Sequence, residues 1–422
     1  MNCCGAIGDI RLKITVIGGG VVGLCCSLHL ARSGHAVTLL EQSVRRDAAS
    51  WGNAGHIATE QVAPLASVAT LRSAAGRLFV RGGALDLPLA GIATWLPFAL
   101  RMIAASRPAR FEKGRRALGT LLAEALPAWQ RLVAAIGAPG LLSDAGHCVM
   151  WESAATAAAG RAAWAAADTG TARFAEATAE QRAELAKVTT APVAGAICFS
   201  GTAQITDLDA LATALSDAFR AAGGTILPRE ADLVLEDGRA VISGLESDRV
   251  LVTAGVRSGP LVEAIGHRAP IVAERGYHIR GTATRWPQDL PPIVFEDRSM
   301  IVTRFADQVQ AASFVEIHAT DAPPDPRKWE RLERHVRELG LAIDGPFTRW
   351  MGSRPTLPDY LPAIGRSRRA DNLFYAFGHQ HLGLTLAPIT AEIIAAMVDE
   401  TPERIDMAPF ELERFGGKGG KR

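Results

Sequence analysis

The chain is short of the features that mark a metal centre or a nucleic-acid surface. Its 422 residues include six cysteines, Cys3, Cys4, Cys25, Cys26, Cys148 and Cys198, none at metal-ligand spacing, so no metal site is expected. They read as reduced thiols of a cytosolic protein rather than a disulfide framework. Lysine plus arginine, 45 in all, nearly balance aspartate plus glutamate, 44, and the net charge of +1 gives no electrostatic reason to expect nucleic acid. No internal repeat is apparent. The first residues, MNCCGAIGDIRLK, have no long apolar core and no twin arginine, so an export signal is not expected and the cytoplasm is the expected location. The longest candidate for membrane contact, Leu87 to Leu100, has fourteen uncharged residues and is broken by Pro88 and Pro97. That is too short to span a bilayer; it reads as a packed helix, with peripheral attachment to the inner face of a membrane as the alternative.

What the sequence does contain is a glycine-rich turn near its start. Ile14 to Ile17 is a β-branched run suited to a strand buried on both faces. Gly18, Gly20 and Gly23 follow at G-x-G-x-x-G spacing: a tight turn, a close backbone approach to a pyrophosphate, and a close helix-to-sheet contact. Val21 to Arg32 reads as the helix, so Val22 and its neighbours offer N–H groups to phosphate, and Gly34 reads as its C-cap. His35 to Leu40 is a second strand, and Glu41 stands at its end, 18 residues after Gly23. A carboxylate there accepts from ribose hydroxyls and repels a 2′-phosphate, so FAD or NAD fits and NADP does not.

The length favours two domains, which can be interleaved in sequence. Alanine-rich helical sequence dominates from Thr70 to Arg182. Thr206 or Asp207 caps a helix that stops at Gly223-Gly224, and Val234 to Gly244 reads as a hairpin turning at Asp237-Gly238. The segment from Asp248 to Leu261 reads as a buried strand ending at Ala254-Gly255, where Gly255 lets backbone pass close to a cofactor. From Pro270 to Ile317 the pattern alternates, which suggests an antiparallel sheet inserted into the first domain.

Two further stretches, SWGNAGHIATEQVAPLAS at Ser50 to Ser67 and WMGSRPTLPDYLPAIG with NLFYAFGHQHLGLTLAPITAEIIAAMV between Trp350 and Val398, complete the pattern. With the N-terminal fingerprint they resemble the FAD-dependent amino-acid oxidoreductases related to D-amino-acid oxidase, glycine oxidase and sarcosine oxidase, and most closely the bacterial D-amino-acid dehydrogenases. The resemblance implies an α/β protein in which a Rossmann-type FAD-binding domain (residues 10–80, 146–262 and 345–415) is interleaved with an α+β substrate domain on an antiparallel sheet (81–145 and 263–344). Residues 416–422 would form a flexible tail. Leu373 to Phe377 would then be a strand, and the helix opening at Thr385 to Pro388 would turn its positive end toward the flavin.

The resemblance also implies roles. Asn53, Gly55, Gly378, His379, Gly383 and Thr385 would lie against FAD. Arg354, in G-S-R-P, would hold the substrate carboxylate bidentately, the alternative being a surface arginine paired with Asp359. His381, where relatives acting on glycine have a second arginine, His56, where D-amino-acid dehydrogenases have glutamine, and Tyr277, with His278 beside it, would face the substrate. Relatives that bind flavin covalently use a late cysteine; no cysteine follows Cys198, so noncovalent FAD is expected. The implied reaction is dehydrogenation of a D-amino acid, a small amino-acid substrate, by hydride transfer from Cα–H to flavin N5, with a quinone of the respiratory chain or oxygen as final acceptor. W-G-N-A-G-H-I-A-T-E-Q is most similar to the variants linked to D-hydroxyproline. The alternatives are a glycine- or sarcosine-type oxidase and a noncatalytic flavin-binding subunit of a larger amine dehydrogenase.

Overall fold

The computed structural model describes residues 11–43, 46–402 and 404–416. Two sheets organise them. The first has six strands in the order Thr225–Leu227, Ala36–Leu40, Lys13–Ile17, Arg249–Val252, Leu373–Phe377 and Ala363–Arg366. Its first five strands run parallel and the last is antiparallel. Both faces are covered, so the central strands are mostly apolar and feed two cores in alternation. Leu251, Phe374 and Ala376 pack into the core under helices Val21–Arg32, Pro108–Ala135 and Gly383–Val398. Val250, Val252, Tyr375 and Phe377 pack into the other, beneath the hairpin Leu233–Glu236/Arg239–Ile242. That hairpin turns where expected, with Asp237 and Gly238 both at positive φ (47° and 76°), and Asp207 caps Leu208–Ala221 by accepting from the Ala210 N–H.

The second sheet has nine strands. Its path runs Asp344–Thr356, Val272–Thr282, Gln308–His318, Met300–Phe305, Ile293–Phe295, His147–Trp151, Gly195–Ser200 and Arg173–Glu176, and the short strand Leu85–Asp86 pairs beside Gln308–His318. One face is covered by helix Pro326–Glu338, through Leu332 and Val336; elsewhere the sheet meets the nucleotide core through Phe305 and the Gly52–Asn53 segment through His278 and Gln310.

Three expectations are corrected here. His147–Trp151 and Gly195–Ser200, assigned by sequence to the FAD domain, belong to the second sheet, as does 345–356. Helix Pro108–Ala135, assigned to the substrate domain, is instead part of the nucleotide core: Leu118, Leu121 and Trp129 are buried there, and the Trp129 indole donates to Leu384 O at 3.0 Å. Finally, Cys148 and Cys198 face each other on adjacent antiparallel strands and form a disulfide. A sequence separation of 50 conceals that register. Cys25 and Cys26 are free and buried, and burial pushes both thiols up. Cys3, Cys4 and residues 417–422 lie outside the described residues.

Candidate active site

The nucleotide cradle follows from crowding. At Gly18, φ is +105° and a Cβ would sit 2.7 Å from Ala254 Cα; at Gly23 a Cβ would sit 1.9 Å from Gly18 O. Neither position accepts a side chain. Gly20 is the helix N-cap, and the first-turn N–H groups of Val22 and Gly23 have no intrahelical partner, which is the anion-binding property of a helix N-terminus. Glu41 Oε2 accepts from the Gly19 N–H at 2.6 Å and Oε1 from the Ser43 N–H at 2.9 Å, which fixes the carboxylate beside the turn. A cavity of about 390 Å³ opens next to it, lined in part by Glu41, Ser43, Arg46, Thr213 and Ser216. Turn, helix end, acid and cavity fit the pyrophosphate and ribose of a dinucleotide.

Further along the cleft, Gly255 (φ +58°) follows the Arg249–Val252 strand and Gly378 (φ +78°) follows Leu373–Phe377. Helix Gly383–Val398 begins at Gly383, and the Thr385 hydroxyl in its first turn accepts from the Ala58 N–H at 3.0 Å, tying it to the segment after Asn53. Asn53 Oδ1 accepts from the Gly55 N–H at 2.8 Å, and Asn53 O accepts from Gln310 of the second sheet at 3.0 Å. Gly55 has φ +75°, and a Cβ there would meet Phe305 at 2.7 Å. His379 turns away from the cleft: it is buried, its Nε2 meets the Thr390 hydroxyl at 3.1 Å, and burial lowers its pKa to about 3. Its side chain braces the loop.

The second sheet supplies a floor. In the register of Val272–Thr282 with Asp344–Thr356, Glu274 pairs with Arg354, Gly276 with Gly352 and His278 with Trp350. These residues share one face because successive strand side chains alternate. The central pair has no side chains, and its neighbours lean across it: a Cβ on Gly276 would sit 2.2 Å from Arg354 Nη2, and one on Gly352 would sit 1.9 Å from the Trp350 ring. His278 stacks on Trp350 with ring centroids 4.9 Å apart, and its Nδ1 meets Gly52 O at 3.1 Å; burial lowers its pKa to about 3.

Arg354 Nη1 donates to Glu274 Oε1 and to Phe314 O, each at 3.3 Å, while Asp359 is engaged by Arg414 at 2.7 Å. Arg354 therefore does not pair with Asp359. Glu274 is 1% exposed, and its Oε2 accepts from the Thr356 and Tyr360 hydroxyls, both at 3.2 Å. Burial, reinforced by Glu274, pushes the Tyr360 phenol up. One guanidinium edge is thus fixed to a buried acid, and the Nη2 end lies over the glycine floor.

Opposite, His381 Nε2 hydrogen-bonds Gln61 Oε1, and burial together with the Arg354 charge lowers its pKa to about 4, so the ring is neutral at pH 7. His56 Nε2 meets Glu60 Oε1 at 3.0 Å, and its ring lies edge-on to His147, with centroids 4.4 Å apart. Burial raises the Glu60 carboxyl, but His56 and His147 outweigh it and hold the pKa at about 2. His147, tied to the Thr202 hydroxyl at 3.0 Å, is lowered to about 3 by burial. Glu60 Oε2 and His56 Nδ1 are buried without a hydrogen-bond partner among the described residues. Donor atoms of His56, Glu60 and His147 lie within 4.8 Å of one another, a set that could ligate a metal and that no sequence spacing revealed. A second such group, Asp86, Glu316 and Asp325, is already filled by the Lys328 ammonium at 2.7, 3.0 and 2.9 Å.

Tyr277 is a correction. It points to the opposite side of its strand, donates to Glu316 Oε2 at 2.5 Å and is 1% exposed beneath helix Pro326–Glu338. Sequence reasoning placed it toward substrate because it could not assign the faces of the strand. It missed Glu274, Glu60 and Trp350, whose only local sign is their place on the same strand or loop as His278, His56 and Arg354 respectively.

The chain matches the sequence profile of the family described as DAO, FAD dependent oxidoreductase, over residues 13–397. The protein belongs to that family. It is similar to a D-amino-acid oxidase of Bradyrhizobium diazoefficiens, 27% identical across 95% of this chain and 98% of the relative. It is also similar to D-amino acid dehydrogenase 2 of Pseudomonas aeruginosa, 29% identical across 93% and 96%. Among solved structures, glycine oxidase from Geobacillus kaustophilus superposes with a TM-score of 0.69 at 18% identity, covering 96% of this chain and 99% of that one. This FAD-dependent oxidoreductase has the DAO-type fold, and FAD is its cofactor. When bound, FAD supplies a two-electron acceptor. The cradle from Gly18 to Glu41 would hold its nucleotide, and the Asn53 and Gly383 segments would flank its ring.

Proposed function

We propose that the protein dehydrogenates a D-amino acid, with Arg354 holding the substrate carboxylate over the Gly276–Gly352 floor. The observation that carries this reading is the Arg354 guanidinium: one edge is fixed by Glu274 and Phe314 O, and its other end projects over a surface with no side chains. A guanidinium held on one side loses little freedom when it binds a planar carboxylate on the other. The substrate's Cα–H is then positioned for hydride transfer, and alignment supplies most of the advantage. Neutral His381 can accept or donate one hydrogen bond without competing for the carboxylate as a second cation would. The names of the two relatives support a D-amino-acid substrate, and noncovalent FAD agrees with the burial of Cys25 and Cys26 and the pairing of Cys148 with Cys198.

The polar wall of His56, Glu60 and His381 supports a compact substrate with an extra polar group, and cis-4-hydroxy-D-proline is the first compound to test. The Bradyrhizobium relative, named an oxidase, supports the second reading, in which oxygen is the acceptor. An anaerobic flavin-bleaching screen over D- and L-amino acids, glycine, sarcosine and cis-4-hydroxy-D-proline tests the substrate, and admitting oxygen afterwards tests the acceptor. Bleaching by L-amino acids alone would overturn the proposal.

A further inference from the structure

The exposed apolar side chains of this protein are not scattered. Of nine large apolar side chains found exposed among the described residues, seven fall between Val68 and Ile103, and five of these form a line: Leu89, Ile92, Leu96, Leu100 and Ile103. The last four lie on helix Ile92–Ala105. At ~100° per residue they fall within about 80° of one another around the axis. Leu89, just before the helix, is 83% exposed and Leu100 is 60% exposed. The same helix already has a buried face: Phe98 packs with Val272, Ile317 and Tyr360, and Trp95 and Met102 lie against them. The outward stripe therefore adds nothing to the core, and a contiguous apolar surface of this kind marks a contact with something outside the chain.

The surrounding charge identifies the contact. Between residues 61 and 111 the only acid is Asp86, and the Lys328 ammonium engages it at 2.7 Å. The same stretch carries six arginines, Arg72, Arg77, Arg81, Arg101, Arg107 and Arg110, all exposed. An apolar helix face on a cation-rich segment with no free anion complements acyl chains beneath anionic headgroups. A second copy of the chain would bring like charges together. Fourteen residues of helix do not cross a bilayer, and the longer apolar helix Gln380–Val398 is 72% buried in the core.

We propose that helix Ile92–Ala105, with Leu89, is a docking face for an anionic lipid surface, lying in the plane of the headgroups. The face is close to the chemistry. Phe98 on its buried side packs edge-on to Tyr360, with ring centroids 6.3 Å apart, and the Tyr360 hydroxyl donates to Glu274, the partner of Arg354. Docking therefore holds the Arg354 site next to the bilayer. Its use in turnover, delivery of electrons to a lipid-soluble quinone, rests on the dehydrogenase reading above; docking itself does not.

The test is co-sedimentation of the FAD-loaded protein with phosphatidylcholine vesicles, with and without phosphatidylglycerol. The parent should pellet with anionic vesicles, less at high salt and least with phosphatidylcholine alone. The double variant Leu96→Ser/Leu100→Ser should lower the bound fraction on the order of tenfold, with flavin content and anaerobic bleaching unchanged. A charge variant, Arg107→Glu/Arg110→Glu, should lose the salt-sensitive part and leaves the apolar face intact if the serine variant folds poorly. Absence of binding to anionic vesicles, equal binding by the variants, or a dimer that the serine changes dissociate without any vesicle binding would each overturn the proposal. Vesicle binding without bleaching by any amino acid would remove the enzymatic reading and leave docking standing.

Discussion

The Arg354 guanidinium occupies the space that a side chain at residue 276 would need: a Cβ there would sit 2.2 Å from Nη2. Gly276 is therefore part of how the arginine is positioned. Gly276→Ala should push the guanidinium off its place and lower kcat/KM for the amino acid by about 1 to 3 kcal/mol, the range for overpacking a well-filled site. Flavin content should stay at the parental level. A fully active Gly276→Ala enzyme would show that Arg354 is used in some other rotamer.

Arg354 itself can be tested by substrate chemistry. Arg354→Ala should lose on the order of 2 to 5 kcal/mol in kcat/KM, with Arg354→Lys between it and the parent, because lysine keeps the charge but not the planar fork. The parent should prefer a D-amino acid strongly over its amide, and the alanine variant should lose that preference. Unchanged discrimination would move the carboxylate to the His381 side of the cleft.

Glu41 accepts from two backbone N–H groups as well as facing the nucleotide cavity. Glu41→Ala should weaken FAD retention by roughly 1 to 3 kcal/mol, the scale of hydrogen bonds to a charged group. Dialysis followed by absorbance of the bound flavin reads this directly.

Acid precipitation of the holoenzyme should release all yellow colour into the supernatant. Cys25 and Cys26 are buried in the first helix and Cys148 is bonded to Cys198, so no described thiol is available to flavin. Colour retained in the washed pellet would mean a covalent link.

Stability should fall on mild acidification. His147, His278 and His379 have folded pKa values near 3, below the ordinary histidine value of 6.5, because each is buried. The unfolded chain therefore binds more protons between those limits, so their stabilising contribution is complete above pH 6.5 and is lost progressively as pH falls toward 3. Thermal midpoints measured from pH 7 down to pH 4 should decline steadily. His379→Gln, which can keep a hydrogen bond to Thr390, should give a shallower decline, and an unchanged slope would argue against a neutral buried His379.

The turn from Gly18 to Glu41 was legible in the sequence because its requirements are local. The positive φ at Gly18, the closeness of Gly23 to Gly18 O, a helix starting at Val21 and an acid at a strand end are all decided within thirty residues of chain. The Asp207 cap and the Asp237-Gly238 hairpin were legible for the same reason. Tertiary structure decided everything that depends on pairing between distant strands. It placed Cys148 against Cys198, gave the strands His147–Trp151, Arg173–Glu176 and Gly195–Ser200 to the second sheet and drew helix Pro108–Ala135 into the nucleotide core. It also brought His56, Glu60 and His147 together and set Glu274 beside Arg354. Tyr277 and His278 show the physical reason most plainly. Adjacent residues on a strand point to opposite faces, so one position separates a side chain buried under helix Pro326–Glu338 from one stacked on Trp350. Which face meets the cofactor is set by how the two sheets pack, and no stretch of sequence around residue 277 contains that information.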